Sequence, residues 1–231
     1  MGIAIIIGAG EGLSASLAYK LHDRGYQLIL AARNTEKLAD IQKATGATVV
    51  SCDAAEAVDM ERVFNLADSM DGQLEVAIYN PSARVRGGIT ELDAKAVKSA
   101  ILVTGYGAFL MAQQAAMKML PNGKGAILFT GASAGVKGYP NSSTFAMGKF
   151  ALRGLAQSLA RELHPQGIHI GHFVIDGGIR NSNRQERIDP ENNPDSMLDP
   201  DAIADSYMYF LDQPRSSWSW EIELRPWVEK F

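Results

Sequence analysis

A chain of 231 residues is long enough to bury one large core and has the size of a single α/β domain. Its 22 basic residues against 26 acidic ones leave a net charge of −4, with no basic run longer than a pair, so nucleic acid is excluded as an expected partner. With Cys52 as the sole cysteine no internal disulfide is possible; no apolar leader and no segment approaching membrane-spanning length is expected, which points to a cytoplasmic protein that engages no membrane.

The chain opens on a short branched-apolar run, residues 3–7, that meets Gly8, Gly10 and Gly12 and continues into apolar residues at helical spacing from Leu13. Strand, tight turn and helix are the expected order. Glycines let the backbone approach a ligand closely, and the helix behind them offers unpaired N–H groups, so an anion is the natural occupant. No Lys-Ser or Lys-Thr pair follows the glycines, and a dinucleotide pyrophosphate fits better than a nucleoside triphosphate.

Strand and helix then alternate. Residues 27–32 form a second buried strand, 35–45 a helix, 47–52 a third strand, and 60–70 an amphipathic helix with Val63, Phe64, Ala67 and Met70 on one face. A strand over 74–79 precedes a long helix over 92–120, ended by Pro121 and Gly123. A strand over 126–130, a helix over 144–164 and a strand over 168–175 follow. This alternation implies one doubly wound domain over residues 1–231, a parallel sheet of about seven strands covered by helices on both faces. Residues 179–200 are polar, hold Pro190 and Pro194, and are expected to form a mobile loop beside the ligand crevice. Asp199 supplies an N-cap and Pro200 a first-turn proline for a helix over 202–211, and residues 218–224 alternate Trp218, Trp220, Ile222 and Leu224 with polar residues as a half-buried seventh strand.

In an open parallel sheet ligands collect at the C-terminal ends of the strands. The second strand ends at Arg33, with no acidic residue to take a ribose 2′-hydroxyl; an arginine suits a 2′-phosphate, and NADP is favoured over NAD. Asp53, with Ala54 beside it, is placed to accept from an adenine amino group, and Asn80, Pro81 and Ser82 end the fourth strand; the alternative for Asp53 and Asn80 is helix capping and turn formation. Arg84, Arg86 and Arg180 follow the fourth and sixth strands, as contacts for an anionic substrate or as solvated loop residues. His169 and His172 stand three apart on one strand, so they face opposite ways and share no metal; packed, hydrogen-bonded roles are expected for both. Asp189, Glu191, Asp195, Asp199 and Asp201 have no ligand spacing, and no metal site is expected.

Over essentially its whole length the sequence resembles the short-chain dehydrogenases/reductases. The family's Thr-Gly-x-x-x-Gly-x-Gly is similar to residues 7–14, with Glu11 and Leu13 within the turn and Ser14 in place of the last glycine. Asp53 falls on the adenine-contacting aspartate, residues 79–82 on Asn-Asn-Ala-Gly, residues 145–149 on Tyr-x-x-x-Lys, and residues 176–179, with Gly177 and Ile179, on the segment that leads into the substrate loop. The resemblance implies a Rossmann-type fold, an NADP(H) cofactor, a small-molecule substrate and a homodimer or homotetramer. It also implies a lysine, Lys149, that binds the nicotinamide ribose.

The catalytic positions depart from the family. Phe145 stands at the tyrosine and has no proton to give; Ala132 stands at or beside the serine, with Ser133 one place later, and Thr104 at the helix asparagine. Loss of a general acid costs about 10²- to 10⁴-fold in rate. Candidate substitutes are Tyr139 first, then Ser133, Ser142, Ser143 and the Lys149 ammonium. The expected function is an oxidoreductase acting on a small carbonyl or activated double bond with a non-standard catalytic site. The alternatives are a non-catalytic NADP(H)-binding sensor or assembly protein, and a structural subunit without cofactor, in which Ser14 crowds the first helix.

Overall fold

The computed structural model describes residues 2–230. Seven strands form one parallel sheet: β1 Gly2–Ile7, β2 Gln27–Ala32, β3 Thr48–Ser51, β4 Gln73–Tyr79, β5 Gly125–Thr130, β6 Ile168–Ile175 and β7 Glu221–Leu224, in the order β3-β2-β1-β4-β5-β6-β7. The helices are α1 Leu13–Asp23, α2 Ala39–Thr45, α3 Ala57–Leu66, α4 Ala94–Ile101, α5 Gly107–Met119, α6 Ser143–Leu163 and α7 Pro200–Leu211. The architecture is Rossmann-like.

The period-2 geometry of a strand divides β1 between two cores. Ile3, Ile5 and Ile7 face α3, α5 and α6, where they pack with Phe64, Met111, Ala115 and Leu152. Ala4 and Ile6 face α1, α2 and α7, where they pack with Leu17, Leu21, Ile41 and Phe210. A strand in the middle of a sheet covered on both sides has no solvent face, which is why β1 reads as an unbroken apolar run. Each of these isoleucines is fully buried and contributes about 1.5 to 3 kcal/mol.

Several boundaries differ from expectation. The predicted second helix begins as a 3-10 turn, Glu36–Leu38, and the third ends in another, Ala67–Ser69, with Val63, Phe64 and Ala67 buried as expected and Met70 packed at the edge. The seventh strand is shorter than expected: Trp218 and Trp220 precede β7. They are held there by ring packing, Trp218 against His169 at 4.2 Å and Trp220 near His172 at 6.5 Å.

The long helix over 92–120 is three pieces. Between α4 and α5 the residues Leu102–Tyr106 form a π-turn, whose wider loop puts backbone groups out of register with the helical ladder. Tyr79 donates its hydroxyl proton to the carbonyl of Val103 in this turn, and Thr104 Oγ1 accepts from the N–H of Ala83 at 3.0 Å. Both bonds tie the turn to the end of β4. Close packing needs Gly107 and Gly148 here: a Cβ on Gly107 would lie 2.3 Å from Ala54 O and Tyr79 Oη, and one on Gly148 2.7 Å from Thr104 Cβ. The helical stretch Ala94–Asn122 spans 29 residues, and an 18-residue window within it has a mean hydropathy of 1.2, so by length and composition only it reaches the range that the sequence reading expected no segment to approach. Ala108, Met111, Ala112, Ala115 and Met119 on it are nevertheless buried against the sheet.

Candidate active site

The strand order reverses at β1, with β2 on one side and β4 on the other, and this is where a doubly wound sheet leaves a crevice beyond its strand ends. A cleft of about 1000 Å³ opens there. Its wall takes Gly8 to Ser14 from the turn after β1, Arg33, Asn34 and Lys37 from beyond β2, and Asp53 and Ala54 from beyond β3. Asn80, Pro81, Ser82 and Arg84 come from beyond β4, and Thr130, Gly131 and Ala132 from the end of β5. Phe145 and Lys149 come from α6, and Gly177, Ile179, Asn181 and Arg187 from beyond β6.

Three glycines, Gly8, Gly10 and Gly12, leave much of the turn after β1 as bare backbone. Gly8 and Gly12 have φ of 77° and 78°, a region that L side chains rarely enter. A Cβ on Gly8 would lie 2.7 Å from the ring of Pro81, so the turn after β1 and the turn after β4 touch only because Gly8 has no side chain. No side chain caps α1 and no acidic residue stands in its first turn. Its N-terminus therefore keeps the partial positive charge of unpaired N–H groups.

Ser14 does not crowd the helix. It is 2% exposed, donates its hydroxyl to Gly8 O at 3.1 Å and accepts from Asn80 Nδ2 at 2.6 Å. The same amide lies 3.4 Å from Gly8 O, so Ser14 and Asn80 together brace the glycine turn. Arg33 and Lys37 stand exposed at the cleft beyond β2, and neither forms an ion pair with a described residue. The Asp53 carboxylate accepts from Ala55 N at 3.0 Å, and the N–H of Asp53 donates to Asp59 at 2.8 Å, so the turn role read from the sequence is present at this position.

Lys149 lies at the far end of the cleft, 2% exposed, and donates from Nζ to the carbonyl oxygen of Thr130 at 2.6 Å. Burial, and then the like charge of Arg84, pushes its pKa down to about 7. Phe145, 8% exposed, packs with Ala132 and Ala134, and the guanidinium of Arg84 lies 3.9 Å from its ring centroid. Behind this wall His172 is fully buried, with Nδ1 donating to Glu221 at 2.9 Å and Nε2 without a partner. Burial lowers the His172 pKa to about 4, which keeps the ring neutral. Gly131 leaves room for it: a Cβ there would lie 2.3 Å from His172 Nε2. His169 is stacked between Phe210 at 3.9 Å and Trp218 at 4.2 Å and reaches Ser219 O at 2.9 Å.

Tyr139 and Ser133 are not part of the cleft wall. Tyr139 is 40% exposed, with Lys137 Nζ 5.7 Å from its ring, and Ser133 begins a 3-10 turn after β5.

The segment beyond β6 is an organised excursion. Its base closes at Ile179 and Leu198, where Arg180 N donates to Leu198 O at 2.8 Å and Leu198 N donates to Gly178 O at 2.7 Å. Arg180 lines the cleft, but its guanidinium reaches Asp189 at 2.7 Å, Asp199 at 3.0 Å and Asp195 at 3.3 Å. That accounts for most of the acidic cluster seen in the sequence, and among the described residues no group of acidic, His or Cys side chains could hold a metal. Asp199 also caps α7, accepting from Asp201 N at 2.7 Å. The excursion touches the glycine turn through Asn183 Nδ2, which donates to Glu11 at 2.7 Å. Lys37, Asn181 and Arg187 are cleft residues that sequence reasoning did not single out. Their types are common in surface loops and helices, and only the path of the chain brings them to one wall.

The short chain dehydrogenase family matches residues 2–192. An uncharacterized oxidoreductase of Staphylococcus aureus is 26% identical over 227 residues, covering 97% of this chain and 96% of its own. The crystal structure of a short-chain dehydrogenase from Rhodopseudomonas palustris superposes with a TM-score of 0.84 at 33% identity, covering 98% of this chain and 99% of the other. A metagenomic short-chain oxidoreductase in complex with NADP gives 0.81 at 23% identity, covering 98% of both chains, a likeness of fold. The chain belongs to the short-chain dehydrogenase family, oxidoreductases with an NAD(P)-binding Rossmann fold.

Proposed function

We propose that the protein is an NADP(H)-dependent oxidoreductase that acts on a small carbonyl or an activated double bond, with a proton source other than the family's tyrosine. One observation carries this reading: a single cleft gathers the bare glycine turn, the unpaired Arg33 and Lys37, and the buried Lys149. The residues present fit a phosphorylated dinucleotide. The uncapped N-terminus of α1 suits a pyrophosphate, and two free cations beside it suit a further phosphate.

Gly8, Gly10, Glu11, Gly12 and Leu13 would hold the pyrophosphate, Arg33 with Lys37 the 2′-phosphate, and Asp53 and Ala54 the adenine. Asn80, Pro81 and Ser82 would border the ribose, Lys149 would hold its hydroxyls, and Gly177 and Ile179 would border the nicotinamide. Bound there, the dinucleotide supplies the hydride. Phe145 has no proton to give. Lys149, with a pKa about 7, is protonated in part at neutral pH and lines the cleft, whereas Tyr139 and Ser133 stand outside its wall. This reading therefore places Lys149 ahead of them as the proton source.

Calorimetric titration with NADPH and, separately, NADH tests the cofactor assignment. NADPH is expected to bind at least about tenfold more tightly, a difference of about 1.4 kcal/mol. Absence of binding by either would overturn it.

A second reading is a non-catalytic NADP(H)-binding protein, and what favours it is Phe145 itself, a buried ring with Arg84 across its face. The Phe145→Tyr variant separates the two. Turnover by the wild-type protein supports the enzyme; turnover of ordinary carbonyls by the variant alone supports a lapsed site.

A further inference from the structure

Two arginines line the same cleft as Phe145 and Lys149. Arg84 comes from the loop after β4 and Arg187 from the excursion after β6; burial, and then the like charges of Arg187 and Arg86, lower the Arg84 pKa. Neither forms an ion pair with any described residue, in contrast to Arg180, which has three. The two acidic residues of the cleft wall, Glu11 and Asp53, belong to the glycine turn and to the end of β3, and Glu11 is already engaged by Asn183.

Both guanidiniums are held in place. Arg84 lies over the Phe145 ring at 3.9 Å, an arrangement in which the ring face attracts the cation while the N–H edge stays free to donate. Arg187 lies against the backbone at the exit of β6: a Cβ on Gly178 would come within 2.6 Å of its Nη1. Like charges placed on two loops without a counter-ion repel, and an anion set between them relieves that repulsion while accepting paired N–H donors.

We propose that the Arg84–Phe145 stack and Arg187 form a recognition site for an anionic group, a carboxylate or a phosphate, on the substrate of this cleft. The proposal rests on the oxidoreductase reading for the word substrate, and the anion site itself stands apart from it. Under it Phe145 is the platform that orients Arg84. The dinucleotide phosphates have their own cations in Arg33 and Lys37 beyond β2, and Phe145 and Lys149 sit one helical turn apart on α6, where the reacting group would be.

Calorimetry with benzoate, phenyl phosphate and the neutral benzamide, each with and without saturating NADP+, tests the site. At least one of the two anions should bind about tenfold or more tightly than benzamide, and the tighter one identifies carboxylate or phosphate. Arg84→Leu and Arg187→Leu should each reduce that preference to about threefold or less, and Arg84→Lys, which keeps charge but loses the planar fork, should fall between. Arg161→Leu, on the exposed face of α6, should leave it unchanged.

Equal binding of anion and amide would overturn the proposal, as would a preference that survives both leucine variants. Loss of anion binding on adding NADP+ would overturn it too, since the arginines would then serve the dinucleotide. NADPH titration of Arg84→Leu should match the wild type. Failure of the wild type to bind any dinucleotide, with the anion preference intact, would sink the oxidoreductase reading and leave the anion site standing.

Discussion

Lys149 donates to the carbonyl of Thr130 at 2.6 Å from a position that is 2% exposed, so one strand end holds a buried ammonium by a single backbone oxygen. One hydrogen bond does not replace full hydration of a cation, and the pKa falls from 10.5 to about 7 for that reason. The folded pKa lies below the unfolded one. Between about pH 7 and 10.5 the unfolded chain holds a proton that the folded chain has released, so stability rises with pH across that window and the whole penalty applies below it. The slope from this residue is at most about 1.4 kcal/mol per pH unit. Melting temperatures of the protein without added ligand, from pH 6 to 9, should show Lys149→Met gaining most over wild type at pH 6, with the gain shrinking as pH rises. A gain independent of pH would reject the assignment.

Ser14 bridges Gly8 O and Asn80 Nδ2 inside the first turn of α1. Ser14→Gly removes both bonds and adds a glycine to the helix, and the expected loss is about 1 to 2 kcal/mol. Urea denaturation should show a lower midpoint at an unchanged slope. An unchanged midpoint would mean that the brace contributes nothing to the fold.

Arg33 and Lys37 carry the proposed preference for a 2′-phosphate. Arg33→Ser should weaken NADPH binding about tenfold or more and leave NADH binding within about twofold, because only the former has the extra phosphate. Parallel loss for both cofactors would place Arg33 in a general electrostatic role.

Arg180 gathers Asp189, Asp195 and Asp199 across the excursion beyond β6. The network is partly exposed, so Arg180→Met should change global stability by about 1 kcal/mol or less. Local opening is another matter: limited proteolysis within residues 181–197 should accelerate several-fold. Cleavage at the wild-type rate would show that the segment is held without the Arg180 network.

Much of this protein is legible along the chain because its information is local. Branched runs too short for helices, glycines at a strand exit, and the Asp199-Pro200 cap each determine their structure within a few residues, and the cap forms as the sequence predicts. The strand ends that line the cleft follow from the rule for parallel sheets, and Gly8, Arg33, Asp53, Asn80 and Lys149 all reach one wall. Where the long helix breaks into a π-turn was not legible, because Tyr79 and Thr104 set it from opposite sides of a packing contact.

The sequence by itself determined the fold class, the glycine turn and the residue types at each strand end, since hydrophobic period and backbone freedom act at short range. Only the tertiary structure decided how charges pair. Arg180 and Arg84 look alike in the sequence as loop arginines beside the crevice, yet one is bound to three aspartates and the other lies over Phe145. Coulomb energy depends on distance and burial, and both are set by how the loops fold against one another and not by the residue types along the chain.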